Sequence, residues 1–302
     1  MGIINTATHP KALWPGVEAF WGKKYNEHQT EWDKLFDKYT SDKAFEENVK
    51  IVGFGVAPVK AQGASVTYDS ELQGYTTRFT HVAYALGYMV THEEMKDNLY
   101  TEVSMTRAEA LARSFRQTKE RVGAAVYNRA FSASYLGGDG VQLCSTAHTN
   151  TSGGTFSNRL TVDADLSETA IEDLIIQIMN STDDRGLLVN LMPKSLHVAT
   201  ANHFNAHRIL KTPYAVGSAN NDINAINSLN AVPAVYVNHY FTAPQAWFIR
   251  TDAPNGMKYY EREGISFTQD NDFDTMNAKA KSYERYSFGW TDPLAVFGSN
   301  GP

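Results

Sequence analysis

Two histidines four residues apart, His203 and His207, have the spacing in this sequence that could most directly support chemistry. On a helix, which we predict over residues 203–210, this spacing lets two imidazoles reach one metal ion. A metal-dependent hydrolase using this pair is therefore one alternative function. No glutamate stands beside His203 and no third ligand can be identified, so an ordinary half-exposed helix is the simpler interpretation.

Cys144 and His148 form a second pair, also four residues apart, in a loop flanked by glycines. The thiol and the imidazole could act as a nucleophile and its base. However, catalytic pairs are normally brought together by the fold, and neither the Gly-x-Ser-x-Gly nor the Cys-Gly-Ser-Cys-Trp pattern occurs. Cys144 is also the single cysteine, which excludes an internal disulfide framework.

Glycine-rich and acidic segments give no further site. Gly53-Phe-Gly55 lacks the third glycine of a dinucleotide loop, and residues 137–140 precede no helix with the lysine and hydroxyl residue of a phosphate loop. The acidic runs at 182–185 and 269–274 miss the twelve-residue spacing of a calcium loop. We therefore predict no catalytic residue, no metal and no cofactor, and no enzymatic function.

Composition indicates a folded protein that does not bind nucleic acid tightly. Hydrophobic residues at 42% and charged residues at 20% are ordinary globular values. No apolar stretch approaches the roughly 20 residues that a membrane span needs. The net charge of −6 argues against a broad basic face for phosphates. The 16 tyrosines, 15 phenylalanines and 5 tryptophans can fill a core or subunit contacts.

The elements that would carry these residues begin with an aromatic segment over residues 1–48, in which only 28–39 has a helical pattern. Such a segment has no core of its own, so we expect neighbouring copies to order it. Residues 51–90 are predicted to form one long hairpin with a flexible tip, projecting from the main core. A long helix should follow over 91–132, or be broken once near Ser104, because acids follow the capping position at Thr91 or His92.

The remainder is predicted as a mixed lobe and returning strands. We expect helices over 168–181, capped by Asp165 or Ser167, and over 203–210, with a polar loop over 213–231. Strands are expected at the positions rich in branched and aromatic residues, namely 187–191, 196–199, 234–240, 246–251, 256–267 and 275–290.

This order of elements resembles the major capsid proteins of tailed phages with the Hong Kong 97-type (HK97-like) shell fold, an α+β fold. Several stretches resemble the head subunits of Mu-like phages in particular. They are Gly87 to Met95, Ala110 to Phe115, Asn128 to Phe131, Asp139 to His148, Arg208 to Leu210, Asn220 to Asn224 and Ala278 to Trp290.

The resemblance implies a division of the chain into named parts. They are an N-terminal arm over 1–50, an E-loop hairpin over 51–90, a P-domain over 91–166 with a spine helix over 91–132, an A-domain over 167–252, and returning P-domain strands over 253–302. It also implies residues that contact neighbouring copies, for which we select Trp14, Trp21, Trp32, Lys60, Gln62 and Phe79. Lys60 stands at the E-loop tip, but no partner asparagine with an adjacent catalytic glutamate is identified, so no isopeptide bond is predicted.

The function that follows from the resemblance is a major head protein that assembles into hexamers and pentamers of an icosahedral shell around double-stranded DNA. Partners would be other copies, with separate scaffolding, decoration and portal proteins. DNA would lie near the inner surface with weak contacts, and no membrane would be involved. Assembly would take place in the host cytoplasm. The same fold also builds bacterial encapsulin-like compartments, which is a second alternative.

Overall fold

The computed structural model describes residues 14–27, 29–97, 100–215, 222–272 and 274–301, with only the backbone described for 14–17, 95–97 and 100–105. The helices are α1 (Trp14–Glu27), α2 (Trp32–Leu35), α3 (His92–Asp97), α4 (Tyr100–Asn128), α5 (Glu168–Met179), α6 (His203–Lys211) and α7 (Ala225–Ser228). The strands are β1 (Asp37–Thr40), β2 (Phe45–Val52), β3 (Leu72–Thr80), β4 (Val82–Val90), β5 (His148–Thr149), β6 (Thr155–Phe156), β7 (Pro193–Ala199), β8 (Ala234–Asn238), β9 (Trp247–Thr251), β10 (Met257–Asn271), β11 (Ala278–Trp290) and β12 (Val296–Ser299).

Two four-stranded sheets organise the chain. The first sheet has the order β1-β10-β11-β4, and the second has the order β12-β9-β7-β8. Strands β2 and β3 form a separate antiparallel hairpin, and β5 pairs with β6. This mixture of helices and sheets confirms the α+β fold class.

Helix α4 lies against the first sheet and carries much of its core. Leu111 and Phe115 are buried together with Phe267 and Ala280 of the two long strands. The predicted helix over 91–132 is confirmed in type, and α4 continues through Ser104 before it ends at Asn128. Residues 98–99, between α3 and α4, lie outside the described part.

A buried ion pair joins α4 to the first sheet. Lys119 Nζ lies 2.7 Å from Glu284 Oε2, and both side chains are buried. The ammonium group also faces the rings of Tyr286, Tyr259 and Trp32, at 4.9, 5.7 and 5.9 Å from the ring centroids. Because burial disfavours the charged carboxylate, the pKa of Glu284 is raised above its ordinary value.

The second sheet and its three helices form a lobe with a continuous apolar core. Trp247, Leu196 and Phe297 come from its strands, and Leu174 comes from α5. Helix α5 begins at the predicted cap, where the Ser167 hydroxyl accepts a hydrogen bond from the Ala170 amide at 3.2 Å. Helix α6 and strands β7, β8, β9, β10 and β11 also lie where the sequence predicts them.

The predicted hairpin over 51–90 is wrong in its second half. Strand β3 pairs with β2, which begins at Phe45, whereas β4 pairs with β11 of the first sheet. The chain changes direction at His81, whose ring nitrogens hydrogen-bond to the Ser287 and Ser41 hydroxyls at 3.0 and 3.2 Å. On β4, Tyr84 stacks on Tyr286 with ring centroids 4.7 Å apart. Its apolar residues therefore belong partly to the subunit's own sheet.

The prediction that neighbours order the whole N-terminal segment is also wrong for its described part. Trp21 of α1 stacks on Tyr25 and Phe267, each at 5.4 Å between ring centroids. The Glu120 carboxylate of α4 accepts hydrogen bonds from the amides of Glu31 and Trp32 at 3.0 and 2.9 Å. Instead of the single helix expected over 28–39, the structure has the short helix α2 followed by strand β1, which pairs with β10. The segment finds its core in distant parts of the same chain.

Two smaller expectations also need correction. Residues 187–191 form no strand, because Asn190 adopts φ 56° and the preceding residues form a turn. Strand β12 does not return to the first sheet with the rest of 253–302. It pairs with β9 and completes the second sheet.

Candidate assembly surfaces

The loop between β2 and β3, residues 53–71, exposes a series of large apolar side chains. We call it the hairpin loop. Val59 and Tyr68 are 100% and 92% exposed. Phe54, Val56 and Val66 are also exposed. Apolar side chains concentrated on one projecting segment, left uncovered by their own chain, are typical of a contact with another molecule.

The base of the hairpin is fixed to the first sheet. Phe79 is buried, with its ring centroid 5.1 Å from that of Tyr260. Asn48 donates a hydrogen bond to the Tyr260 hydroxyl at 3.0 Å and accepts one from Lys258 Nζ at 3.2 Å. A Cβ at Gly289 would lie 2.8 Å from the Phe79 ring, so this close packing requires glycine there.

Exposed apolar side chains also occur on the lobe, on α6 and on the described residues that flank α7. They are Phe204, Tyr214, Ile223 and Leu229, and Phe204 is 79% exposed. The segment around α7 is held firmly, since the Asn224 and Asn227 amides donate to carbonyls of α6. These side chains too are suited to protein contact.

Of the six contact residues predicted from the sequence, the five whose side chains the structure describes are not brought together. Trp21, Trp32 and Phe79 are buried within the chain, which leaves little of their surface for a neighbour, and their assignment as contacts stays a prediction. The aromatic character that drew attention to them reflects the cores of α1, α2 and the hairpin base. Lys60 and Gln62 lie exposed in the hairpin loop, and the side chain of Trp14 lies outside the described residues.

Although Lys60 and Gln62 of the hairpin loop were among the contacts predicted from the sequence, the exposed apolar residues of the same loop were not. Their signal is present in the run from Gly53 to Val59, where apolar residues alternate with glycines and a proline in a segment that cannot form a regular strand. An apolar segment that lacks regular structure has few ways to bury itself within its own chain.

Neither candidate pair has the surroundings of a catalytic site. The Cys144 thiol is completely buried, which raises its pKa and disfavours the thiolate. His148 instead lies with Nδ1 2.5 Å from Asp139 and Nε2 3.0 Å from Asn158. The Asn158 amide donates to three backbone carbonyls, including that of Val296. These hydrogen bonds of His148 and Asn158 hold neighbouring loops together, which is a structural role.

His203 and His207 lie on α6 as predicted, with stacked rings 5.1 Å apart. Within the ranges described, no group of three or more His, Cys, Asp or Glu side chains could hold a metal ion. In the same ranges, no helix combines the length and apolar character that crossing a membrane requires.

Comparison with known families identifies the family to which the chain belongs. A family model described as phage capsid protein matches residues 74–298. The chain belongs to the phage capsid protein family. It is a major capsid shell protein. No curated protein matches its sequence significantly.

Solved structures confirm the HK97-like fold of this capsid protein. The capsid of the cyanophage P-SCSP1u matches with a TM-score of 0.55 and 9% identity, over 89% of this chain and 87% of that chain. The capsid of Myoviridae phage XM1 matches with a TM-score of 0.53 and 10% identity, over 91% and 94%. A virus-like particle from Pyrococcus furiosus matches with a TM-score of 0.52 and 9% identity, over 94% and 98%.

Proposed function

We propose that this capsid protein assembles into the hexamers and pentamers of an icosahedral tailed-phage head that encloses double-stranded DNA. The observation that carries the proposal is the hairpin loop, whose apolar side chains have no cover within the described residues. A neighbouring copy would provide that cover. The mature protein would reside in the virion shell, after assembly in the host cytoplasm.

The energetics of the hairpin loop support contacts between copies. Full burial of a valine or phenylalanine side chain contributes about 1.5 to 3 kcal/mol. The three valines and one phenylalanine of the loop would together contribute on the order of 5 to 10 kcal/mol to each contact if most of their surface were covered, before the entropy of ordering is subtracted. A shell repeats this contact at every subunit, so a modest gain at one site accumulates over the particle.

We assign the parts of the subunit with the boundaries that its strands favour. Residues 45–80 form the E-loop, and α3 with α4 forms the spine. The P-domain contains the first sheet, and the A-domain contains residues 167–252 together with β12. Lys60, Gln62 and Trp14 remain proposed contacts with neighbours. The stretches quoted above favour membership of the Mu-like subset.

The proposal includes expectations about partners. The net charge of −6 favours an inner wall that does not retain packaged DNA strongly. Scaffolding, decoration and portal functions would come from separate proteins. We expect the subunit to have no catalytic activity of its own, since its family is structural.

A matched pair of substitutions tests the role of the hairpin loop. Val56 and Val162 are each 78% exposed, but only Val56 lies in the loop. We expect Val56→Asp to abolish or strongly reduce particles seen by negative-stain microscopy, because a charge would have to be buried in the contact. Val162→Asp should assemble normally, and both variants should keep the wild-type circular dichroism spectrum. Wild-type protein that forms no closed particles, or equal assembly of both variants, would contradict the proposal.

The contents of native particles test the enclosed cargo. We expect nuclease-protected double-stranded DNA of uniform length in particles purified from producing cells. Particles filled with a single enzyme and free of DNA would instead support the encapsulin-like alternative.

A further inference from the structure

A short turn of the lobe, residues 183–187, meets the base of the hairpin loop with two adjacent charges of opposite sign. Lys50 Nζ lies 3.0 Å from Asp184 Oδ1, and Arg185 Nη1 lies 2.9 Å from Asp69 Oδ2. The negative residue of the turn faces a lysine, and the positive residue faces an aspartate. We call these four residues the ionic clasp. This alternation fixes the register in which the hairpin meets the turn.

The turn has hydrogen bonds of its own that do not involve the hairpin loop. Asp183 Oδ1 accepts hydrogen bonds from the amides of Arg185 and Leu187, each at 2.8 Å, and the Asp183 amide donates to the Leu187 carbonyl at 2.8 Å. Gly186 has φ 79°, a conformation that favours glycine. These local bonds hold Asp184 and Arg185 in place without help from the hairpin.

The clasp joins the beginning of the hairpin loop, near Gly55, to its end, near Asp69, and it also fastens both to the 183–187 turn. Asp69 Oδ2 accepts a hydrogen bond from the Gly55 amide at 2.8 Å, which ties the outgoing limb to the returning one. Arg185 Nη2 donates to the Ser70 carbonyl at 2.5 Å. Asp184 Oδ2 accepts from the Thr151 hydroxyl at 3.0 Å, so a third segment shares the junction.

The clasp restrains the backbone of the loop while leaving its apolar side chains uncovered. Val59, Val66 and Tyr68 are all exposed although Gly55 and Ser70 are fixed. A contact whose purpose was to hold the loop back would cover these side chains. A contact that restrains only the base instead limits the orientations that the loop can adopt. It therefore lowers the conformational entropy that is lost when a partner binds the loop.

We propose that the ionic clasp orients the hairpin loop of the unassembled subunit for capture by a second copy of this chain. This inference rests on the proposed function. Loss of the outer pair, Asp69 with Arg185, would leave the subunit folded but free the loop to sample many directions. Assembly would then slow, because only a fraction of subunits would present the loop in the binding orientation.

The test compares Arg185→Ala, Asp69→Asn and the reversed pair Asp69→Arg/Arg185→Asp with wild type. Assembly of purified subunits is followed by light scattering, and amide hydrogen exchange of residues 53–71 is measured before assembly. We expect both single variants to assemble at least tenfold more slowly, with faster exchange in the loop. The reversed pair should recover only part of the rate, because arginine at position 69 cannot accept from the Gly55 amide and aspartate at position 185 cannot donate to the Ser70 carbonyl. Arg78→Ala is the control, since Arg78 pairs with Glu47 inside the hairpin itself at 3.9 Å.

Each outcome has a separate meaning. Wild-type subunits that never form particles would refute the proposed function. Wild-type subunits that assemble, with Asp69→Asn and Arg185→Ala assembling at the same rate or faster, would refute the clasp alone. Because Asp69 lies on an exposed loop and outside the 183–187 turn, Asp69→Asn keeps the test valid even if Arg185→Ala fails to fold.

Discussion

The buried pair of Lys119 and Glu284 offers the sharpest test of how α4 is held on the first sheet. Replacing Lys119 with methionine keeps most of the side-chain volume but leaves the Glu284 carboxylate buried without its counter-charge. Neither oxygen of Glu284 accepts a hydrogen bond from any described residue other than Lys119. Removing one partner of a buried pair typically costs about 3 to 5 kcal/mol, and we expect Lys119→Met to lie in this range at pH 8.

The pH dependence of this loss has a definite sign. Burial already raises the folded-state pKa of Glu284 above its unfolded value, and Lys119 opposes that rise. Without Lys119 the folded-state pKa of Glu284 rises further. The stability that this raised pKa contributes is fully present below the unfolded-state pKa of Glu284, and it is lost as pH rises through the folded-state pKa. The penalty of Lys119→Met should therefore be smaller at pH 5 than at pH 8.

Guanidinium unfolding of unassembled subunits, followed by tryptophan fluorescence, measures both effects. Arg285→Ala is the control, because Arg285 pairs with Glu263 at 3.8 Å near the surface and should cost at most about 1 kcal/mol. Lys119→Met/Glu284→Leu should recover most of the stability, since an apolar pair needs no counter-charge. The reasoning fails if Lys119→Met costs no more than Arg285→Ala, or if its penalty grows on acidification.

Three further predictions concern the same helix and its cover. Phe115→Ala should lower the free energy of unfolding by about 3 to 5 kcal/mol because it leaves a cavity, while Arg113→Ala on the exposed face should change it by less than about 0.5 kcal/mol. Equal urea midpoints for the two variants would mean that the helix faces are misassigned. Burial raises the pKa of Glu120 to about 7, so the free energy of unfolding of the wild type should fall as pH rises from about 4.5 through 7. The variant Glu120→Gln should show a smaller difference in stability between pH 5 and pH 8, measured by unfolding scans. Trp21→Ala should cost about 3 to 5 kcal/mol in the unassembled subunit and speed hydrogen exchange of α1; an unchanged midpoint would show that neighbours, not this chain, hold the helix.

Local signals were sufficient for α4, α5 and α6 and for strands β7 to β11, but not for α1, which lies where no helix was expected, or for α7, which lies in the expected polar loop. Helix α5 has both a hydroxyl cap at Ser167 and an apolar face, and α4 has a long periodic pattern, so neither depends on distant residues for its recognition. Strand β4 was placed in the wrong sheet, because its partner β11 lies almost 200 residues later and both faces of the strand carry apolar residues. Periodicity cannot distinguish between partners that are both apolar.

The candidate surfaces were harder to predict for a related reason. The sequence predicts Trp21, Trp32 and Phe79 as contacts between copies because nearby residues in the sequence offer them no core. Their partners include Phe267, Tyr259 and Tyr260, which the fold brings from more than 180 residues away. Large aromatic residues show that a contact exists, but their type does not indicate whether the partner is the same chain. Exposure, which decides this, follows from the tertiary structure.

The pairing of β12 with β9 limits how this protein can diversify. The lobe takes strands β7, β8 and β9 from one stretch of sequence, but takes its edge strand from a stretch encoded after the whole of the first sheet. Val296 and Phe297 of that strand are completely buried in the lobe's core. Recombination that exchanged only residues 167–252 between relatives would therefore join a new lobe to an old edge strand, with mismatched core side chains. The lobe can vary by substitution and through its loops, but it is not a cassette that can be inherited separately from the rest of the chain.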